Sequence, residues 1–364
     1  MSYLLLSTYG EKGSRDSGDD LICKSLTRLI RRAKGKKLGV DVFSLVDDSV
    51  ETVTDISKYR AVIVPALRPI VQGSKLLPPK RSLLLQQAKE HQVPVYVIGA
   101  GWGSYPGTFR QAKNQKIIKE DKAQLIGLDG LISTRDFTTE VLLRSNRIPC
   151  YGTTGDCALF ETTSIGQTPQ LPETVKNVAL SLPRNRRHWS ACYRLALRIK
   201  EEFSCDVYIT VHEYYGEFSA LIPSNWDRHK VYIKDLSGGA EKLSFYKQCD
   251  AHIGFRLHAH IWFLRKRKPS LLIAEDGRGM GTLMTLTGLG YSAAANQTWK
   301  KADELITFSE KAVYKHKENE PTVEKAVRIF KNEHQNGYVI TRNSLRKIDR
   351  LWREKMKPLL QRLP

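Results

Sequence analysis

The stretch Gly254-Phe255-Arg256-Leu257-His258-Ala259 sets a permanent cation two residues from a titratable imidazole, where an apolar run passes into a helical one. A guanidinium grips phosphate or carboxylate through its planar fork, and an imidazole exchanges a proton near neutral pH. Together they could hold an anionic substrate and protonate it. An Arg-x-His triplet on its own is common and usually structural, so the elements around it must carry the rest of the argument.

Cys249-Asp250-Ala251-His252-Ile253 reads as a buried strand, and Ile261-Trp262-Phe263-Leu264 as an apolar helix that ends in the basic run Arg265-Lys266-Arg267-Lys268. A helix start carries unpaired N–H groups and a partial positive charge, which suit an anion. In open α/β sheets, ligands gather beyond the carboxyl ends of the strands, where this order of elements puts Arg256 and His258. His252 and His260 flank the motif on an apolar strand and inside the helix, and read as core or supporting partners.

The chain has 364 residues, 41% hydrophobic and 26% charged, enough for two domains with ample core. No run is apolar for long enough to cross a bilayer, and Met1-Ser2-Tyr3-Leu4-Leu5-Leu6 lacks the basic start of a secretory signal, so a cytoplasmic protein is expected. The six cysteines lie far apart with no Cys-x-x-Cys pair, which argues for free thiols and against a zinc site or a disulfide framework. The formal net charge of +20 calls for an anionic partner: nucleic acid, membrane surface, acidic polymer or phosphorylated substrate. Basic residues are spread over 24–37, 184–198, 265–268 and 311–362, so no single footprint stands out, and most read as solvated surface.

Short β-rich runs alternate with helical patterns from the start. Expected strands are Tyr3 to Ser7, Val40 to Leu45, Ala61 to Pro65, Val93 to Gly99 and Gly130 to Ser133; expected helices are Leu21 to Arg32, opening after a capping Asp19-Asp20, and Arg81 to His91. The pattern breaks over the polar, proline-bearing residues 161–173, which read as an interdomain linker. It resumes with strands at Asn177 to Leu182, Cys205 to Val211, Lys230 to Ile233, Ala251 to Phe255 and Ser270 to Ile273, and helices at Cys192 to Phe203 and His258 to Arg265. Alternation of this kind predicts parallel βαβ units and an α/β fold of two Rossmann-like domains, 1–165 and 175–335, with a ligand cleft between them. Residues 338–364 form an amphipathic C-terminal helix candidate, with Leu345, Ile348, Leu351, Trp352 and Met356 at helical spacing; packing back across the domains is its first reading, an anionic membrane surface its second, nucleic acid its third.

Four stretches, in order, resemble the polysaccharide pyruvyl transferase family. Gly18-Asp19-Asp20 resembles its Asn-x-Gly-Asp turn, Ile132-Ser133-Thr134-Arg135-Asp136 its Arg-Asp strand end, and Thr154-Gly155-Asp156-Cys157-Ala158-Leu159-Phe160 its Asp-Pro-x-Phe segment. Gly254 to Ala259, then Pro269 to Ile273 and Asp276-Gly277-Arg278, resemble its Arg-Leu-His-Ala motif, strand and Asp-x-Lys. The chain departs from the family where Pro65-Ala66-Leu67-Arg68 replaces a Gly-Gly pair and Arg278 a common lysine. The resemblance implies a GT-B-type arrangement, with the acceptor on the N-terminal domain and the donor on the C-terminal one. It also implies transfer of the enolpyruvyl group of phosphoenolpyruvate onto a saccharide, lipid-linked acceptors among the candidates, to form a pyruvate ketal.

On that reading Arg256, Arg184 and Arg278 bind the donor's phosphate and carboxylate, Arg184 by resemblance to the family's strand-end arginine, with Arg186 and Arg187 as its competitors. His258 is the general acid for the methylene carbon. Asp19, Trp102 and His212 fall to the acceptor side: Trp102, among glycines, could stack on a sugar, and His212, at a strand end before Glu213-Tyr214-Tyr215, could face the cleft, though packing is its plainer role. No residues show metal-ligand spacing, so neither metal nor cofactor is expected. Two other readings stand beside this one: a GT-B glycosyltransferase using a nucleotide sugar, and a polyanion or nucleic-acid binder suggested by charge alone, with nucleic acid the less expected partner.

Overall fold

A computed structural model of the chain describes residues 2–35, 37–73, 79–105, 107–169, 171–213, 231–293 and 320–364. Lys230, Tyr214, Tyr215 and the basic residues of 311–319 lie outside them.

Two parallel six-stranded sheets account for the alternation. The first runs β1 (Ser2–Ser7), β2 (Gly39–Ser44), β3 (Tyr59–Pro65), β4 (Val95–Ala100), β5 (Ile132–Thr134) and β6 (Gly152–Thr153), in the spatial order β2-β1-β3-β4-β5-β6. The second runs β7 (Asn177–Ser181), β8 (Asp206–Val211), β9 (Val231–Asp235), β10 (Ala251–Gly254), β11 (Ser270–Ala274) and β12 (Gly290–Ser292), in the order β12-β11-β10-β7-β8-β9. Central strands such as Tyr59–Pro65 and Ser270–Ala274 are apolar on both faces, as a sheet covered by helices on each side requires. The architecture is α/β with two Rossmann-like domains.

Each sheet reverses its winding once, and those reversals locate the site. The switch falls between β1 and β3 in the first sheet and between β7 and β10 in the second. Strand order parts there, leaving a crevice beyond the carboxyl ends. Asp16 follows β1, Arg184 follows β7 and Arg256 follows β10.

The helix Ser17–Lys34 begins earlier than the sequence predicts. Asp16, not Asp19 or Asp20, is its cap, and its carboxylate accepts the Gly18 N–H at 2.8 Å. Asp20 instead accepts the Ala240 N–H at 2.6 Å and pairs with Lys24 at 2.7 Å, joining the first domain to the second. Short elements also escaped the pattern: β6, β12 and the helices Phe137–Ser145 and Gly277–Leu286.

One apolar core is common to both domains and to the C-terminal segment. Leu21, Leu26 and Ile30 of the first helix meet Trp262 and Phe263 of the second domain and Ile348, Trp352, Met356 and Leu360 of the C-terminal helices. The expected single helix is Val339–Leu351 continued through a wider π-type turn, Trp352–Met356, into Lys357–Gln361. Its apolar face is buried as the packing reading expected, with Trp352 5.5 Å from Phe160.

The linker candidate carries turns and is pinned to both sides. Glu161 pairs with Lys266 at 2.6 Å and Arg265 at 3.4 Å, and the Gln167 carbonyl accepts from Arg267 at 2.6 Å. Arg267 also pairs with Asp349 of the C-terminal helix at 2.8 Å, so the basic run 265–268 fastens the domains together.

Candidate active site

The junction of β10 with the helix Leu257–Arg265 is built by small residues and hydroxyls. A Cβ on Gly254 would lie 2.5 Å from Ser181 Oγ, so only glycine lets β10 approach β7 here. Ser181 Oγ accepts the Arg256 N–H at 2.9 Å and meets His252 Nε2 at 2.8 Å; Ser270 Oγ lies 2.8 Å from His252 Nδ1 and 2.7 Å from His260 Nδ1. His252 and His260 are therefore supporting partners, and burial pushes the imidazole pKa of His260 down to about 3 and that of His252 well below its ordinary value.

Arg184, Arg256, His258 and Arg278 line one narrow cavity, together with Asp16 and Glu275. Four of the residues expected at the donor side are thus brought together. The cavity measures about 30 Å³, room for roughly one water, because the site's own ion pairs fill it. Arg256 Nη2 donates to Asp16 Oδ2 at 2.9 Å and to Glu213 Oε1 at 2.7 Å. Arg184, half exposed, stands 3.4 Å from the same Glu213 oxygen, and its own N–H is held by Glu275 at 2.9 Å. Arg278 is clamped by Asp276 at 2.6 and 2.8 Å. Of Arg184's competitors, Arg186 lies over the Trp189 ring, and the side chain of Arg187 is outside the described residues.

The electrostatics follow from these pairings. Burial works against an ionised Asp16, but Arg256 above all holds its carboxyl well below the ordinary range. At Glu275 burial outweighs two backbone donors, Arg184 and Asn185, and the charge of Arg256, and pushes the carboxyl up to about 7. Arg68, from the departure after β3, stands near Arg278, whose charge with burial lowers its pKa to about 10.

His258 is held between the domains. Its Nε2 lies 3.8 Å from Asp156 Oδ2, and Gly18 flanks the ring without a side chain, where an added Cβ would sit 2.0 Å from Nδ1. Arg135 stands behind Asp156, with Nη1 at 3.7 Å from the same carboxylate oxygen.

The acceptor-side expectations fare differently. Trp102 is 1% exposed; its backbone N–H donates to Thr139 Oγ1 at 2.9 Å, and its ring abuts the backbone of Gly277, so no sugar can stack on it. His212 is also buried: its Nε2 bonds Tyr246 OH at 2.5 Å, and burial, with Arg256 adding, lowers it to about 3, so it is a neutral supporting residue rather than a sugar ligand. Asp19 is half-buried in the first helical turn, near Arg68.

Sequence reasoning missed Asp16, Glu213 and Glu275. A capping aspartate three residues before the Asp19-Asp20 pair was the signal available for Asp16. Nothing local marks Glu213 or Glu275 as facing a guanidinium. Among the described residues no group of His, Cys, Asp and Glu is arranged to hold a metal, and no helix is long and apolar enough to cross a membrane.

The family model for polysaccharide pyruvyl transferase matches residues 17–277. No curated protein matches the chain. Among solved structures, a candidate UDP-N-acetylglucosamine 2-epimerase from Listeria monocytogenes aligns over 96% of this chain and 91% of its own, with a TM-score of 0.51 and 9% identity. The UDP-GlcNAc 2-epimerase from Neisseria meningitidis, bound to UDP-GlcNAc, aligns over 97% of this chain and 100% of its own, with a TM-score of 0.49 and 12% identity. The Listeria likeness speaks to the fold alone, a GT-B-type pair of Rossmann-like domains.

Proposed function

The chain belongs to the polysaccharide pyruvyl transferase family, and from that premise we propose that it transfers the enolpyruvyl group of phosphoenolpyruvate to a saccharide and closes a pyruvate ketal. The observation that carries this reading is the convergence of Arg184, Arg256, Arg278 and His258 on one cavity at the switch point of the second sheet. Three guanidinium groups suit a donor with both phosphate and carboxylate. Glu213 and Asp16 occupy Arg256 until the donor arrives, and the donor's anionic groups take their place.

His258 protonates the methylene carbon, which becomes a methyl group and leaves a cationic centre at C2. A sugar hydroxyl adds there and loses its proton; the C2–O bond to phosphate then breaks, and a second hydroxyl adds in turn. The two hydroxyl protons balance the one gained by the methyl group and the one leaving with phosphate. The first domain supplies the acceptor side, near Asp19 and Arg68, and the second the donor side.

The exposed basic side chains Arg342, Arg346, Arg350, Arg353 and Lys355 support peripheral contact with an anionic membrane if the acceptor is lipid-linked. Its apolar face being buried, such contact is electrostatic. Free thiols at all six cysteines support a reducing, cytoplasmic setting, and no metal or cofactor enters the reaction as drawn.

The test is ligand-induced stabilisation. Phosphoenolpyruvate should raise the melting temperature where nucleotide sugars do not, and phosphate release should require a saccharide. His258→Gln should abolish release while leaving the stabilisation. Stabilisation by a nucleotide sugar and not by phosphoenolpyruvate would mean a glycosyltransferase instead.

A further inference from the structure

Resting on the pyruvyl-transfer reading, we propose that Asp156 is the positioning residue of His258: it holds the imidazole as the Nε2–H tautomer, so that Nδ1 is the atom that exchanges a proton with substrate.

The geometry is a line of buried, unfinished contacts. His258 Nε2 and Asp156 Oδ2 face each other at 3.8 Å, and both atoms are sealed from solvent with no hydrogen-bond partner among the described residues. A buried polar atom without a partner carries a desolvation cost, which a small closing movement of the two groups would remove. Asp156 cannot swing away to satisfy itself elsewhere, since its Oδ1 accepts the Ala158 N–H at 2.8 Å and caps the short helical turn Cys157–Leu159.

Arg135 keeps that carboxylate charged. Its Nη1 stands 3.7 Å from the same Oδ2, and its guanidinium lies flat on Gly101, where a Cβ would sit 2.1 Å from Cζ. Although burial opposes ionisation, His258 and then Arg135 hold the Asp156 carboxyl below its ordinary value. A charged carboxylate can only accept, so the ring atom facing it must carry the hydrogen. Tautomers of histidine are set by the bond the other nitrogen makes.

The remaining surroundings of His258 leave Nδ1 for the substrate. Arg256 sits two residues before it, Asp16 caps the helix Ser17–Lys34 opposite, and His212, at the end of β8, is neutral and bonded to Tyr246. Gly18 gives the Nδ1 edge a flank without a side chain. Asp156 and Arg135 come from the first domain and His258 from the second, so the imidazole is oriented only when the domains are together. Asp156 does not touch the donor; it acts through His258.

The experiment reads nitrogen-15 shifts of the histidines in the full-length protein, with His258→Gln identifying the resonance. Neutral His258 should be in the Nε2–H form. In Asp156→Asn the amide oxygen keeps the Ala158 bond and the NH2 group turns to Nε2, so the Nδ1–H form should take over. Turnover should fall on the order of ten-thousandfold, with KM for phosphoenolpyruvate within about twofold of wild type, as when the carboxylate orienting a catalytic histidine is amidated. An unchanged tautomer in Asp156→Asn overturns the proposal, and so does unchanged turnover. Should that variant not fold, an Nδ1–H tautomer in the wild-type protein overturns it. The tautomer readout is independent of the donor, so failure of the pyruvyl-transfer reading would be recognised separately.

Discussion

The Asp16 carboxylate and the Arg256 guanidinium meet at 2.9 Å across the two domains. Asp16 is also the cap of its helix, so one side chain starts the helix Ser17–Lys34 and neutralises the proposed donor-binding cation. Asp16→Asn keeps the cap, because asparagine caps as well as aspartate, and removes the charge. Calorimetric titration should then show phosphoenolpyruvate binding several-fold tighter, while stability drops by about 1–3 kcal/mol through the weakened buried pair. Weaker binding would mean that Asp16 helps to build the donor site rather than competing for it.

Gly18 against His258 gives a second prediction. With a Cβ only 2.0 Å from Nδ1, Gly18→Ala forces the imidazole from its seat between Gly18 and Asp156. Turnover should fall about a hundredfold or more, since displacement by about 1 Å from productive geometry is that costly. Steady-state kinetics decide it; near-normal turnover would show the imidazole has room to spare.

Glu275 makes stability depend on pH. Burial raises it from its ordinary 4.5 to about 7, so the folded chain binds this proton more tightly than the unfolded one. Stability from this group is full below the lower value and is lost as pH rises through the higher one. In Glu275→Gln the decline of melting temperature between about pH 5 and pH 8 should flatten. Donor affinity should also weaken over that window in the wild-type protein, because an ionised Glu275 repels an anion in the same cavity; a pH-independent affinity would place the donor elsewhere.

Trp102 separates a core residue from a sugar platform. Trp102→Ala should cost about 3–5 kcal/mol, as loss of a fully buried ring does. Trp102→Phe should recover most of that and leave KM for the acceptor unchanged, measured by thermal unfolding and kinetics. A large rise in acceptor KM with little change in stability would restore the stacking role.

Much of the fold was legible because its signals are local. Strands of three to seven residues alternating with amphipathic helices mark parallel βαβ units, and an Arg-Leu-His-Ala run at a strand-to-helix junction falls at the carboxyl edge of such a sheet. Trp102 misled for a physical reason: glycines on both sides allow either a ligand-facing turn or close packing, and composition cannot choose between them. The Asp19-Asp20 cap failed because several acidic residues within one turn compete for the role, and only backbone geometry selects Asp16.

The residue types that can bind an anion and move a proton, and the strand-to-helix setting of Arg256 and His258, follow from the order of amino acids alone, since periodicity and junctions are properties of neighbours in the chain. Which carboxylates occupy those groups does not. Asp16 and Arg256 are 240 positions apart, and Asp156 reaches His258 from the other domain, so their pairing depends on how two sheets are docked through a common core. Long-range docking is decided by the packing of whole faces, and that is why the charge balance and the imidazole's orientation emerged only with the tertiary structure.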